Sequence, residues 1–221
     1  MSLGLRRTMG LARPERAFGR DARGVSAIEF AICAPFAALL LLAGVDTARF
    51  VMATRQLETV ASTVGQMVSV NGNGAVTAAD LQFFHDSAMV IFPQALAEAK
   101  QRNAAWDDEV GITMSSLTFQ ASNNSYVPKM SWSWGTAPRS CAAAMQPAAD
   151  SAPPTPSTLP NGVFGPGSLV VVDVTYTFRP TIAPAYLSAL PIARSYYVAP
   201  RYVPAIAYST ASSGSKPAQT C

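Results

Sequence analysis

The chain has 221 residues, 49% of them apolar and only 13% charged, about half the charged share of an ordinary globular chain. The net charge of +3 is unevenly spread: residues 1–24 hold six arginines (Arg6, Arg7, Arg13, Arg16, Arg20, Arg23) against Glu15 and Asp21, a surplus of +4, and the remainder is slightly acidic. With no basic stripe outside that arm, nucleic acid is excluded as a partner, and with His85 as the single histidine and no C-x-x-C, a metal site or other cofactor is not expected.

Residues 1–24 are polar and glycine-punctuated, and read as a cytoplasmic leader without a fold of its own. Residues 25–45 (VSAIEFAICAPFAALLLLAGV) are apolar apart from Glu29. A bilayer core of about 30 Å needs about 20 helical residues, so this run predicts a transmembrane helix, with Glu29 at the interface or neutralised. The arginines before it place the N-terminus in the cytoplasm and the rest outside. Two other readings exist for such a run. A buried core helix rarely follows an arginine cluster, and a cleaved secretory signal has a shorter apolar core of about 7–15 residues. Cys33, inside the run, reads as a small apolar filler.

The helix should continue through 46–70 as an amphipathic segment. Phe50, Ala53, Leu57, Val60, Val64 and Met67 fall on one face, and the string Asn71, Gly72, Asn73, Gly74 stops it. Residues 71–209 then form the exported domain. Thr77 and Asp80 predict a capping box for a second helix whose apolar face is Leu81, Phe84, Ala88 and Ile91. Pro93 ends or kinks it, and 94–102 adds a short helix. From about Gly111 the period becomes two. Met130, Trp132 and Trp134 alternate with polar residues, as do Val170, Val172, Val174, Tyr176 and Phe178. Ile112 to Gln120 and Tyr196 to Tyr208 are weaker strand candidates. Residues 147–162, with five prolines, read as an extended surface loop, and 210–221 as a mobile tail. The fold class is therefore α+β: a long N-terminal helix, transmembrane then amphipathic, followed by a small domain of one or two helices and an antiparallel sheet.

Cys141 and Cys221 permit one intramolecular pairing in an oxidising compartment. A bridge between them is the expected arrangement, with a free or intermolecular Cys221 as the alternative.

The chemistry lies at the head of the apolar run, where Arg23-Gly24-Val25-Ser26-Ala27-Ile28-Glu29-Phe30 combines a glycine, a buried-type carboxylate and an aromatic. A carboxylate in a membrane segment is costly and calls for a partner. Cleavage between Gly24 and Val25 would create one. The new α-amine of a neighbouring subunit could pair with Glu29 and set the axial register. The alternative is a Glu29 that merely snorkels. This string resembles sites cut by prepilin peptidases. The longer stretch from Arg23 to Phe50, with Pro35 as a kink inside the membrane helix and Asp46 and Arg49 after it, resembles the TadE-like family, with TadG-like proteins as close relatives.

The resemblance implies a minor pilin or pseudopilin that assists assembly of a Tad/Flp pilus used in surface adherence. It implies the inner membrane, a prepilin peptidase, other pilins or pseudopilins and the pilus assembly machinery as partners. The protein would be single-pass, with its C-terminal domain periplasmic or carried into an extracellular pilus. The rival is an uncleaved membrane-anchored binding or adhesion module, with Trp106, Trp132 and Trp134 as candidate surface aromatics. No catalytic residue is proposed: neither G-x-S-x-G nor H-E-x-x-H occurs, and the acidic triplet Asp107, Asp108, Glu109 reads as a solvated turn.

Overall fold

A computed structural model describes residues 23–123, 125–142, 145–182, 188–212 and 214–221, with side chains from residue 26 onward. Most of the expected leader, residues 1–22, lies outside the described residues, as do the side chains at Gly24 and Val25. The chain separates into two units, Met1–Val45 and Asp46–Cys221.

Helix α1 runs Arg23–Ser69 with Pro35 inside it. The whole apolar window near its start is unburied. Phe30 is 73% exposed and Leu40 75%, a surface that water would not tolerate over so many turns. From Asp46 onward the pattern changes. Ala53, Leu57, Val60, Val64 and Val68 are buried, while Arg55, Glu58 and Gln66 are exposed, as a spacing of three and four residues requires. The helix stops where Asn71 turns the chain and its Oδ1 accepts the Asn73 N–H at 2.9 Å.

Strand β1 (Ala75–Thr77) leads into α2 (Ala78–Ile91) through a capping box. The Asp80 N–H donates to Thr77 Oγ1 at 3.2 Å, and the Thr77 N–H donates to Asp80 Oδ2 at 2.9 Å. Leu81 and Ala88 are buried, Phe84 and Ile91 pack at the core's margin, and His85 joins them inside. Pro93 begins a new helix, α3 (Pro93–Gln101), where its missing N–H is harmless. A single turn, α4 (Trp106–Glu109), then delivers the chain to the sheet.

Among the described residues the main sheet has five strands in the order β7-β6-β2-β3-β9, every neighbouring pair antiparallel. They are β2 (Val110–Ser122), β3 (Ser125–Gly135), β6 (Gly167–Phe178), β7 (Leu190–Val198) and β9 (Ala218–Thr220). Two short parallel pairs stand beside it: β1 with β8 (Ala207–Ser209), and β4 (Gln146–Ala148) with β5 (Thr158–Pro160). One face of the sheet carries Ile112, Met114, Trp132, Trp134, Val170, Val172 and Val174 against the second half of α1 and against α2. The other face carries Leu117, Met130, Leu169 and Val171 against Met145 and Leu159.

Four expectations change here. Met130 does not share a face with Trp132 and Trp134: Ser131 is an extra residue in β3, with Ser116 opposite Trp132 and Leu117 opposite Met130, and the bulge turns Met130 to the second core. The proline-rich stretch 147–162 is no free surface loop. Leu159 within it is fully buried, because it covers the second face of the sheet. Of 196–208, residues up to Val198 belong to β7, which starts earlier at Leu190, and Ala207 and Tyr208 belong to β8. The segment 210–221, expected to be mobile, contributes β9, paired with Trp132 to Trp134. At Gly135, φ is +136°, and the backbone of Ile112 stands where a Cβ would go, so glycine alone fits the end of β3.

Candidate functional site: the apolar helix and the collar beyond it

Glu29 and Phe30 lie in the exposed, apolar part of α1, as does Pro35. Gly24 and Val25 lie in the helical backbone of its first turn. Cys33 is a free, exposed thiol in the same stretch. From Ser26 to Val45 the helix is about 30 Å long, the thickness of a bilayer core. Its single carboxylate therefore stands near one end of the apolar length.

The second unit begins with a collar of charges. Asp46 is buried and accepts the backbone N–H groups of Thr181 and Ile182 at 3.2 and 3.1 Å. Arg49, one helical turn on, lies 3.9 Å from Asp46 and donates to Glu98 of α3 at 3.3 Å. Glu98 also accepts the Tyr176 hydroxyl of β6 at 2.6 Å. Burial first, and then that carboxylate, push the Tyr176 phenol far above its ordinary pKa. Arg102 bridges Glu98 to Glu109, and Arg179 closes the chain on Glu109 at 2.5 Å. Burial alone would raise the Glu109 pKa, but the two arginine hydrogen bonds and charges outweigh it and leave the carboxyl below its ordinary value.

The collar explains why an acid and an arginine follow the apolar run. Asp46 caps a turn between strands, and Arg49 ties α1 to α3. Glu98, Arg102, Glu109 and Arg179 were not visible as a group in the sequence. The triplet read as a solvated turn is split by the fold: Glu109 is 6% exposed, because α4 turns it toward the two arginines. Asp107 faces His85 Nε2 at 3.1 Å and Lys216 Nζ at 2.5 Å.

On the far face of the sheet Arg139, 1% exposed, grips Asp173 through two hydrogen bonds of 2.7 and 2.8 Å and donates to the Pro156 carbonyl at 3.0 Å. Ser195 also donates to Asp173. This fork pins the proline-rich segment to the sheet. Cys141 and Cys221 are joined in a disulfide, with Cα atoms 5.5 Å apart. Trp106, Trp132 and Trp134 are all buried, so they form no surface aromatic face. Among the described residues no three His, Cys, Asp or Glu side chains gather as a metal site.

By this layout the protein is an α+β domain carried behind one apolar helix long enough to anchor it in a membrane. Residues 24–65 match the model of the TadE-like protein family, the family that the stretch from Arg23 to Phe50 resembles. The match opens at Gly24 and ends within α1, and it suggests a protein associated with the Tad pilus. Neither a curated protein nor a solved structure matches the chain.

Proposed function

We propose that the protein is a TadE-like minor pilin or pseudopilin, cut between Gly24 and Val25, that assists assembly of a Tad/Flp pilus used in surface adherence. The observation that carries this reading is the family match beginning at Gly24, on a helix whose apolar length is unburied and holds one carboxylate five residues on. In this reading the leader stays in the cytoplasm and residues 25–45 span the inner membrane. The domain from Asp46 onward stands in the periplasm or travels into the pilus. Glu29 takes the α-amine of a neighbouring Val25 as its partner, since an unpaired carboxylate at that depth is costly. A prepilin peptidase, other pilins or pseudopilins and the assembly machinery are the partners.

The test is N-terminal sequencing and intact mass of protein recovered from membranes. The expected mature chain begins Val-Ser-Ala-Ile-Glu. Recovery of the uncut leader from cells with an active prepilin peptidase overturns the reading, and would favour an uncleaved, anchored adhesion module. Gly24→Val is expected to block cleavage while leaving insertion intact.

A further inference from the structure

We propose that this chain pairs head to tail with a second copy of itself, the uncovered run of β3, residues 125–130, adding as a strand to the open edge of β7. Strand β9 covers β3 only from Trp132 to Trp134. Over residues 125–130, among the described residues, β3 has β2 on one side and no strand on the other. Past Phe119, the last residue of β2 that pairs with β6, β2 and β3 have only each other. A two-stranded ribbon is marginal by itself, and this one exposes Tyr126 and Val127. At the opposite end of the sheet, β7 has β6 on one side and no described strand on the other. An unpaired run of N–H and C=O groups is a template for a further strand.

The alternation of the ladders fixes which peptide groups each edge offers. The Thr136 N–H donates to the Ile112 carbonyl at 3.0 Å, and counting from that rung past the bulge at Ser131 leaves Tyr126, Pro128 and Met130 pointing outward. In β7 the outward set is Pro191, Ala193, Ser195 and Tyr197, because Pro191 has no N–H to give β6. The Ala193 carbonyl agrees, since it accepts from its neighbour Arg194 at 2.9 Å. Within the sheet β3 and β7 run in opposite directions. A second copy in the same orientation therefore presents β7 antiparallel to β3, with the faces of the two sheets aligned. One register suits both prolines. With Pro128 opposite the second copy's Ala193, the donor that Pro128 lacks falls on a carbonyl that Arg194 already holds. The second copy's Ala193 N–H then meets the Pro128 carbonyl, Tyr126 and the second copy's Ser195 exchange both bonds, and the Met130 N–H meets the second copy's Pro191 carbonyl. The register also sets Lys129, which has no acidic partner among the described residues, on the face where the second copy's exposed Glu58 holds Arg194. Pairing β7 with β7 fits less well. About a two-fold at Ser195, each occupied Ala193 carbonyl would face a Tyr197 N–H, and the free run of β3 would stay bare. A head-to-tail contact leaves each copy one more open edge, so it can repeat. It does not depend on cleavage at Gly24.

The test uses two differently tagged full-length copies made in one cell, both Cys33→Ala, oxidised in the isolated membranes. One carries Tyr126→Cys and the other Ser195→Cys. Residues opposite each other on such a rung have Cα atoms about 5.5 Å apart, a span that a disulfide closes. An intact Cys141–Cys221 bridge in the peptide map certifies each variant as folded. The expected result is a mixed dimer whose linked peptide joins 126 to 195. It should be absent when Gln219→Cys, exposed in β9, replaces Tyr126→Cys. It should also be lost when Ala193→Pro is added to the Ser195→Cys copy, because that change removes an outward N–H and leaves the β6–β7 ladder intact. No mixed dimer, or as much of it with Gln219→Cys, overturns the inference. A mixed dimer undiminished by Ala193→Pro overturns strand addition. A dimer of the Ser195→Cys copy with itself, formed in preference to the mixed one, overturns the inference in favour of β7 against β7.

Discussion

Glu29 lies in an apolar run and Glu109 is buried in the folded domain, and the two carboxylates are handled in opposite ways. Glu109 finds its cations within the chain, in Arg102 and Arg179. Glu29 has an arginine-rich leader before it and, in the proposed assembly, a neighbour's amine. Glu29→Ala is therefore expected to insert at least as well as wild type, since it removes a carboxylate from a membrane segment where one is costly. Pili counted by microscopy should nevertheless be lost; wild-type piliation would show that Glu29 only snorkels. For Glu109 the folded pKa lies below the unfolded value near 4.5. Its ionised form thus stabilises the fold above that value, and the contribution is lost as pH falls through the folded pKa. Glu109→Gln should destabilise at neutral pH by about 1–3 kcal/mol, because both arginines keep some hydration. Urea midpoints measured from about pH 5 downward should fall less steeply in the variant than in wild type. Glu29 was legible because one charge interrupts an apolar run. The Glu109–Arg179 and Arg139–Asp173 pairs were not, because they join residues 70 and 34 apart and leave no local period.

At the scale of elements, the second half of α1 meets the sheet closely at Gly65. A Cβ there would stand 2.7 Å from the Tyr196 ring and 3.5 Å from Val172. Gly65→Leu should force helix and sheet apart and cost about 1–3 kcal/mol, outweighing the roughly 1 kcal/mol of helix propensity that replacing glycine gains. The measure is thermal unfolding in detergent, where each kcal/mol is worth about 2–4 °C for a chain of this size; a raised midpoint would place the ring elsewhere. Elements with one strong period were readable: the 3–4 spacing of 50–67, the Thr77 capping box, the alternation in β6. The bulge at Ser131 was not, since a single inserted residue leaves the polar-apolar alternation of the letters intact while reversing the faces. Strand β7 was misplaced because its sides are covered almost equally, Tyr196 against α1 and Tyr197 toward the second core, so its letters carry no alternation.

For the whole molecule, the Cys141–Cys221 bridge closes a separation of 80 residues, worth roughly 4–5 kcal/mol in the chain-entropy model and usually less in practice. Cys221→Ser should lower the unfolding midpoint and open the segment after Ser209 to protease, read as release of a C-terminal peptide; an unchanged digest would mean that β9, Lys216 and Ser215 hold the segment unaided. The pairing of these cysteines was open to expectation because only two lie beyond the apolar run. Which strand the segment joins was not, because Ala218 to Thr220 carries no strand signal of its own. The same attachment sets an order of events. The Cys221 N–H donates to the carbonyl of Ser131 at 3.0 Å, beside the rung between Thr220 and Trp132. These groups are made some ninety residues apart, so during synthesis the β3 edge emerges long before the strand that covers it. Until residues 218–221 follow, that edge offers unpaired peptide groups to any passing strand. The nascent domain is most exposed to mispairing in that interval, and in the proposed periplasmic location an oxidase that joins the two cysteines would end it.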